Sequence, residues 1–146
     1  MAQIRVEAKR EVAADPARVF KSIADYGPGR LKWLPENYSE LVDERGRKGS
    51  DTLVRYRLKV GPREREYHMR ILEAVPGSTV VETDTASSMT VTWHVAPRDS
   101  GSEVKVISQW SGSGGIGGFF ERRFAPSGLK KVLDQALAGL ASSVSG

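Results

Sequence analysis

The strongest constraint in this sequence is an alternation of apolar and polar residues that runs, with a period of two, from Pro35 to residue 111. This period predicts β-strands that bury one face, and short turns such as Gly61-Pro62 predict that neighbouring strands are antiparallel. The predicted inward residues of four of these strands are Val54, Tyr56, Leu58, Val60, Tyr67, Met69, Ile71, Met89, Val91, Trp93, Val95, Val104, Val106 and Trp110. The apolar face of this sheet needs a covering element from elsewhere in the chain.

The residues before Pro35 predict one more strand and one or two short helices. The segment QIRVEAKREV alternates and reads as a half-buried first strand. In DPARVFKSIADYG, Asp15 is a suitable N-cap and Pro16 suits the first helical position, so a short helix is predicted to end near Gly27. The segment GPGRLKWLPE predicts a compact turn or a second short helix, closed by Pro35.

After residue 111 the apolar residues change to a helical spacing. Apolar residues recur three to five positions apart, at Phe120, Phe124, Leu129, Leu133, Ala136, Leu137, Leu140 and Val144. Pro126 and Gly128 are predicted to kink or break this helix, because proline removes a backbone donor and clashes with the preceding turn. Residues 1–146 are therefore predicted to form a single α+β domain with about seven strands, two short helices after the first strand and a long C-terminal helix.

The composition excludes several kinds of chemistry. The chain has no cysteine, and its two histidines, His68 and His94, fall on the outward phase of their predicted strands. No H-x-x-x-H, grouped carboxylates or G-x-S-x-G motif is present, so we assign no catalytic residue, no metal ligand and no cofactor. The sequence shows neither an apolar leader nor an apolar run of membrane-spanning length, so a cytoplasmic protein is expected.

A glycine motif raises the possibility of nucleotide binding. Gly112, Gly114 and Gly117 spell G-x-G-x-x-G between a predicted strand and a predicted helix. The dinucleotide fingerprint requires a parallel strand–helix–strand unit with a second strand after the helix, and here only the terminal helix follows. We therefore interpret the glycines as a hinge and predict elevated mobility for residues 112–118, with at least one of the phenylalanines beyond them facing the interior.

The positive charge of the chain is concentrated in one segment. Residues 45–70 contain nine Lys or Arg against three Asp or Glu. By alternation Arg55, Arg57 and Lys59 point outward, which is typical of a solvated sheet face. The alternative is a surface that docks an acidic carrier protein or an anionic membrane. Nucleic acid is not expected, because the outward phase lacks interleaved aromatic residues on which bases would stack.

The order of these elements resembles a known family. The segments VAADPARVFKSIADY, then Trp33-Leu34-Pro35, the strands and GGIGGFFERRFAPSGLKKVLDQALAGLASSV are similar to the START-like superfamily, in particular to its polyketide cyclase/dehydrase (SRPBCC) branch. The resemblance covers nearly the whole chain and implies the helix-grip fold of the birch-pollen allergen. In that fold a curved antiparallel sheet grips the long C-terminal helix, with an elongated cavity between them.

The resemblance implies that residues facing this cavity bind a ligand. The candidates are Trp33, Tyr56, Leu58, Tyr67, Met69, Ile71, Met89, Val91, Trp93, Val106, Trp110, Phe120, Phe124, Leu133 and Leu137. The alternative is that they pack together and leave no cavity. Tyr26, Arg30 and Trp33 are expected to border the cavity mouth, and Arg10 could be the one inward charge of the first strand.

Three functions stay open at this point. The first is a carrier or sensor that holds a hydrophobic small molecule, such as a lipid, polyketide or isoprenoid. The second is a polyketide aromatase/cyclase or dehydratase, against which the sequence offers few inward ionisable groups, since proton transfer needs a positioned acid or base. The third is an interaction module that acts without a ligand through the basic β-hairpin, which lies within residues 45–70 and turns at Gly61-Pro62.

Overall fold

The computed structural model describes residues 3–26, 28–43, 53–111 and 125–144. The strands are β1 (Gln3–Val12), β2 (Tyr38–Asp43), β3 (Leu53–Val60), β4 (Arg63–Val75), β5 (Thr79–Asp84), β6 (Thr90–Arg98) and β7 (Gly101–Ser111). The helices are α1 (Pro16–Ala24), α2 (Pro28–Leu31) and α3 (Ala125–Val144). The predicted hinge at residues 112–118 and Phe119, Phe120 and Phe124 lie outside the described residues.

The strands form one seven-stranded antiparallel sheet in the order β1-β7-β6-β5-β4-β3-β2. Two short helices follow β1 and a long helix closes the chain, so the predicted α+β helix-grip fold is confirmed. Every inward residue predicted from the alternation is buried except Val60, which is half-buried. Arg10 shares the phase of the buried residues Ile4, Val6, Ala8 and Val12 on β1, but its side chain is exposed.

Helix α1 begins where the sequence predicts. The Asp15 carboxylate accepts hydrogen bonds from the backbone N–H of Ala17 at 3.0 Å and of Arg18 at 3.3 Å, which caps the first turn. The helix buries Val19, Phe20 and Ile23 and packs mainly against β6 and α3. This contact fixes where the chain leaves α1 and enters α2.

Helix α3 supplies the covering element that the sheet requires. It packs against β1 and β3, which four other strands separate in the sheet, so the sheet curls around the helix. Its buried face consists of Leu129, Val132, Leu133, Ala136, Leu137, Leu140 and Val144. The predicted break at Pro126 and Gly128 is absent. The helix runs through Gly128, and Pro126 lies in its first described turn, where a missing N–H costs little.

One glycine allows a close approach between α3 and the segment after α2. A Cβ atom on Gly139 would collide with the backbone carbonyl oxygen of Trp33. The Trp33 backbone therefore lies directly on the helix at this position. This contact holds the segment that follows α2 over the interior of the curled sheet.

Candidate functional site

A small void lies between the concave face of the sheet and α3. The described residues that line it are Arg30, Leu34, Tyr38, Leu41, Tyr56, Leu58, Tyr67, Met69, Glu82, Met89, Val91, Trp93, Ser108 and Leu129. Its volume of about 20 Å³ is room for about one water molecule. The elongated cavity that the resemblance implies is therefore nearly closed in this conformation.

The structure places the predicted ligand-binding residues in two groups. Those that line the void are Tyr56, Leu58, Tyr67, Met69, Met89, Val91 and Trp93. Those that are buried without lining it are Trp33, Ile71, Val106, Trp110, Leu133 and Leu137. The members of the second group pack in the hydrophobic core.

A buried ion pair forms the most polar part of the void wall. The Arg30 guanidinium Nη2 lies 2.9 Å from the Glu82 carboxylate Oε2, and the two side chains are only 4% and 2% exposed. The Tyr26 hydroxyl donates a hydrogen bond of 2.6 Å to the same oxygen, and Arg30 Nε donates one of 2.8 Å to the Ile23 carbonyl. The four-residue helix α2 carries the cation, and β5 carries the anion.

Burial and charge set the protonation of this cluster. Burial raises the pKa of Tyr26 well above 10.0, and the neighbouring Glu82 carboxylate raises it further although Arg30 lowers it. Burial lowers the pKa of Arg30, but the nearby Tyr26 and Glu82 outweigh that effect and the pKa is raised overall. The arginine is therefore a permanent cation, and the tyrosine is a neutral hydroxyl donor at physiological pH.

The same region contains buried N–H groups that form no hydrogen bond with any described residue. They are Nη2 of Arg30 and the indole Nε1 of Trp33 and of Trp93. Nη2 is close enough to Glu82 for an ion pair, but its N–H directions do not form a hydrogen bond with the carboxylate. The guanidinium carbon lies 3.9 Å from the centroid of the Tyr26 ring, so the cation also rests on an aromatic face.

Three tyrosines form a ladder across neighbouring strands. The ring centroids of Tyr38 and Tyr56 are 5.5 Å apart, and those of Tyr56 and Tyr67 are 5.7 Å apart. Burial, followed by the charge of Glu82, raises the pKa of both Tyr38 and Tyr56. The void therefore has an aromatic wall whose hydroxyl groups at positions 38 and 56 stay neutral.

These groups correct one sequence-based expectation. The sequence predicts few inward ionisable groups, but Arg30, Glu82 and Asp84 are all buried. The signal is present in β5, where Glu82 and Asp84 share the inward phase with Val80. Tyr26, Arg30 and Trp33, expected at an open mouth, are 3–5% exposed, so they belong to the interior.

Asp84 has a different role from Glu82. Its carboxylate accepts hydrogen bonds from the backbone N–H of His68 at 3.0 Å and from the hydroxyl of Ser87 at 2.5 Å. The backbone N–H of Asp84 donates to the carbonyl of Met89 at 3.0 Å. Asp84 therefore stabilises the turn between β5 and β6 and has local structural partners.

His68, His94 and Arg57 lie on the outer face of the sheet. His68 Nε2 is 2.9 Å from Glu66 Oε1, and His94 Nδ1 is 2.8 Å from the hydroxyl of Thr79. Arg57 forms ion pairs with Glu40, Glu64 and Glu66. The predicted outward directions of His68, His94 and Arg57 are confirmed, and part of the positive charge is neutralised within the sheet.

The described residues offer neither a metal site nor a membrane span. Within residues 3–26, 28–43, 53–111 and 125–144, no group of three or more acidic or histidine side chains could hold a metal ion. No helix in this part of the chain has the length and apolar character needed to cross a bilayer.

Comparison with known proteins places this geometry in a family. Residues 3–145 match the family described as polyketide cyclase / dehydrase and lipid transport. The solution structure of KanY protein (ms6282) is similar with 35% identity, a TM-score of 0.87 and 100% coverage of both chains. The crystal structure of TTHA0849 from Thermus thermophilus has 19% identity and a TM-score of 0.82, with 97% of each chain covered.

A more distant similarity shows the fold alone. The di-domain ARO/CYC BexL from the BE-7585A biosynthetic pathway has 12% identity and a TM-score of 0.78, and the match covers 99% of this chain and 50% of BexL. A search of curated proteins found no match. The family match spans nearly the whole chain and agrees with the helix-grip arrangement, so the protein belongs to the polyketide cyclase/dehydrase and lipid transport family.

Proposed function

We propose that this protein binds a hydrophobic small molecule between the concave face of the sheet and α3, as a carrier or sensor in the cytoplasm. The ligand classes proposed are lipids, polyketides and isoprenoids. The observation that carries the proposal is the Arg30–Glu82 pair in the wall of a mostly apolar void. Apolar residues would often stabilise a core equally well, so such a pair favours a role in orienting a polar atom of a ligand.

The size of the void sets a condition on binding. Cavities that hold drug-sized ligands measure roughly 300–1,000 Å³, against about 20 Å³ here. A ligand therefore has to displace side chains from the interior. Leu34, Tyr38 and Leu41 line the void and are only half-buried, and Met69 and Met89 are unbranched side chains that adapt their shape.

The first experiment identifies the ligand class. Native mass spectrometry of protein purified gently from its own host is expected to show a co-purifying lipophile. In vitro, the apolar fluorophore N-phenyl-1-naphthylamine is expected to bind the emptied protein with one-to-one stoichiometry. No co-purifying molecule together with no fluorophore binding would contradict the proposal.

A matched pair of variants tests where the fluorophore binds. Leu34→Trp adds bulk beside the void and is expected to weaken fluorophore binding by about ten-fold, by overpacking. Leu72→Trp adds the same bulk at a position that is 48% exposed on the outer face of β4, and it serves as the control. Equal effects of both substitutions would place the fluorophore outside the void.

A second candidate function is a polyketide aromatase/cyclase or dehydratase. The observation that favours it is the Glu82 carboxylate, which lines the void and accepts a hydrogen bond from Tyr26. A carboxylate in such an environment can remove a proton from a carbon between two carbonyl groups. The protein should accelerate the exchange of deuterium for the hydrogens on the carbon between the two carbonyl groups of a β-diketone. The Glu82→Gln variant should lose this acceleration. Exchange at the uncatalysed rate would leave the carrier or sensor function.

An acidic carrier protein or an anionic membrane is proposed as a partner of the basic hairpin, with or without a ligand. Lys59, Arg63 and Arg70 are exposed on β3 and β4. Co-sedimentation with vesicles containing phosphatidylserine, compared with vesicles of phosphatidylcholine alone, tests the membrane partner. Equal binding to both kinds of vesicle, or binding to neither, would show that the positive charge of this hairpin does not cause membrane binding.

A further inference from the structure

Among the described residues, the buried indole Nε1 groups of Trp33 and Trp93 have no acceptor, and Arg30 Nη2 makes an ion pair with Glu82 without forming a hydrogen bond. The three side chains meet one another. Arg30, Trp33 and Trp93 are 3%, 4% and 2% exposed. The guanidinium carbon of Arg30 lies 5.0 Å from the Trp93 ring centroid and 5.4 Å from that of Trp33. The two indole rings are 5.7 Å apart in an edge-to-face arrangement. We call these three side chains the donor recess.

The donor recess adjoins the void. Arg30 and Trp93 line the void, and Trp33 packs against both of them. Buried donors normally have a hydrogen-bond partner, and an indole N–H can only donate. An acceptor that enters the void lies beside Arg30 and Trp93, and it can satisfy the Trp93 indole N–H that the described residues leave unpaired.

We propose that the donor recess binds an uncharged hydrogen-bond acceptor of the ligand, namely a carbonyl or ether oxygen on an otherwise apolar molecule. This inference rests on the proposed function. The positive charge of Arg30 is already balanced by Glu82 at 2.9 Å, so a ligand carboxylate would add an uncompensated buried anion. A ligand ammonium group, which can only donate, would meet further donors.

One alternative is a trapped water molecule. The void has room for about one water, whose oxygen would accept from the same donors. A ligand oxygen that takes over these contacts would replace the water without loss, whereas a hydrocarbon that displaces it would leave the donors unpaired. The preference for a carbonyl over a hydrocarbon of the same shape is therefore the quantity to measure.

Three naphthalene probes of similar shape make this measurement. Isothermal titration calorimetry would compare acetylnaphthalene, ethylnaphthalene and naphthoate, all substituted at the same ring position. We expect acetylnaphthalene to bind about ten-fold more tightly than ethylnaphthalene, as for a hydrogen bond to buried donors. Naphthoate at neutral pH is expected to bind at least about ten-fold more weakly than acetylnaphthalene. A carbon-13 label in the carbonyl should resonate further downfield in the bound probe than in the same probe dissolved in a hydrocarbon.

Variants connect this preference to the recess. Trp93→Phe removes one donor and retains an aromatic ring, so it should reduce the ten-fold preference to about three-fold or less. Val95→Ala is the control for general loosening, because Val95 is buried on the same face of β6 and does not line the void. It should leave the preference unchanged. Trp33→Phe provides a second test if Trp93→Phe does not fold.

The outcomes separate the inference from the proposed function. Equal binding of acetylnaphthalene and ethylnaphthalene would overturn the inference and leave hydrophobic binding intact. Binding of naphthoate as tight as that of acetylnaphthalene would overturn the restriction to uncharged acceptors. An undiminished preference in a folded Trp93→Phe or Trp33→Phe variant would overturn the assignment to that indole. Failure of all three probes to bind would overturn the proposed function and the inference together.

Discussion

Removing either member of the Arg30–Glu82 pair is expected to cost more stability than removing both. The Nη2 and Oε2 atoms lie 2.9 Å apart, and both side chains are almost completely withdrawn from water. Arg30→Met alone leaves a buried carboxylate without its cation, and Glu82→Leu alone leaves a buried guanidinium without its anion. Each change is expected to lower the free energy of unfolding by about 3–5 kcal/mol.

The double substitution removes both charges and replaces them with apolar side chains. A buried ion pair can be exchanged for apolar residues with a change between neutral and about 1–4 kcal/mol of stabilisation. Against this gain, the Tyr26 hydroxyl loses its acceptor and the Ile23 carbonyl loses its donor. Each unpaired group costs about 1–3 kcal/mol. Each single variant also loses one of these two contacts in addition to leaving a buried charge unpaired, so the double variant should be less destabilised than either single variant.

Urea unfolding followed by circular dichroism measures these differences. Tyr26→Phe is the control, since it removes a hydrogen bond and keeps the ion pair, and it should cost about 1 kcal/mol. Single variants that are unfolded in buffer beside a folded double variant would support the same conclusion. Single costs below about 1 kcal/mol that simply add in the double variant would refute the reasoning, because they would mean that water already solvates the pair.

Two further predictions concern α3 and the tyrosines. Gly139→Ala should destabilise the protein by about 1–3 kcal/mol despite the higher helix propensity of alanine, because its Cβ meets the backbone of Trp33. Gly128→Ala, whose Cβ would meet only the end of the Val60 side chain, should be near neutral by the same urea assay; equal costs would argue against the Trp33 contact. Burial raises the pKa of three tyrosines above 10.0, so the unfolded chain loses these protons first, and stability should be full below pH 10 and fall above it. Tyrosinate absorbance during an alkaline titration should show delayed ionisation of Tyr26, Tyr38 and Tyr56, and ionisation of all tyrosines near pH 10 without unfolding would contradict their burial.

The strands could be predicted because the buried face of each strand follows from the alternation of apolar and polar residues within that strand. In β3 and β4 the inward residues Tyr56 and Tyr67 follow the period of two and also face each other in the register. The N-cap at Asp15 is equally local, since its partners lie two and three residues away. Patterns of this kind need no knowledge of the rest of the chain. The prediction of a break in α3 at Pro126 and Gly128 is wrong, because proline breaks a helix only in its interior and an interior glycine only lowers helix stability.

The ion pair was not predictable in the same way. Glu82 shares its phase with buried residues, but polar residues in a strand are normally assigned outward, and a buried carboxylate is plausible only once a partner is known. Its partners Arg30 and Tyr26 come from α2 and the preceding turn, and Tyr26 is 56 positions away in sequence. The contact exists because α1 and Gly139 bring that segment over the sheet, which is a property of the tertiary structure.

The contrast between Glu82 and Asp84 shows why Glu82 is the residue to test first. Both are buried on the inward face of β5, two positions apart. Asp84 bonds to the backbone and to the adjacent turn, so its role is complete without a ligand. The described partners of Glu82 are side chains of the segment that covers the void, and it lines the void itself. The contacts of Glu82 therefore join the wall of the void to the segment that covers it, and those of Asp84 do not.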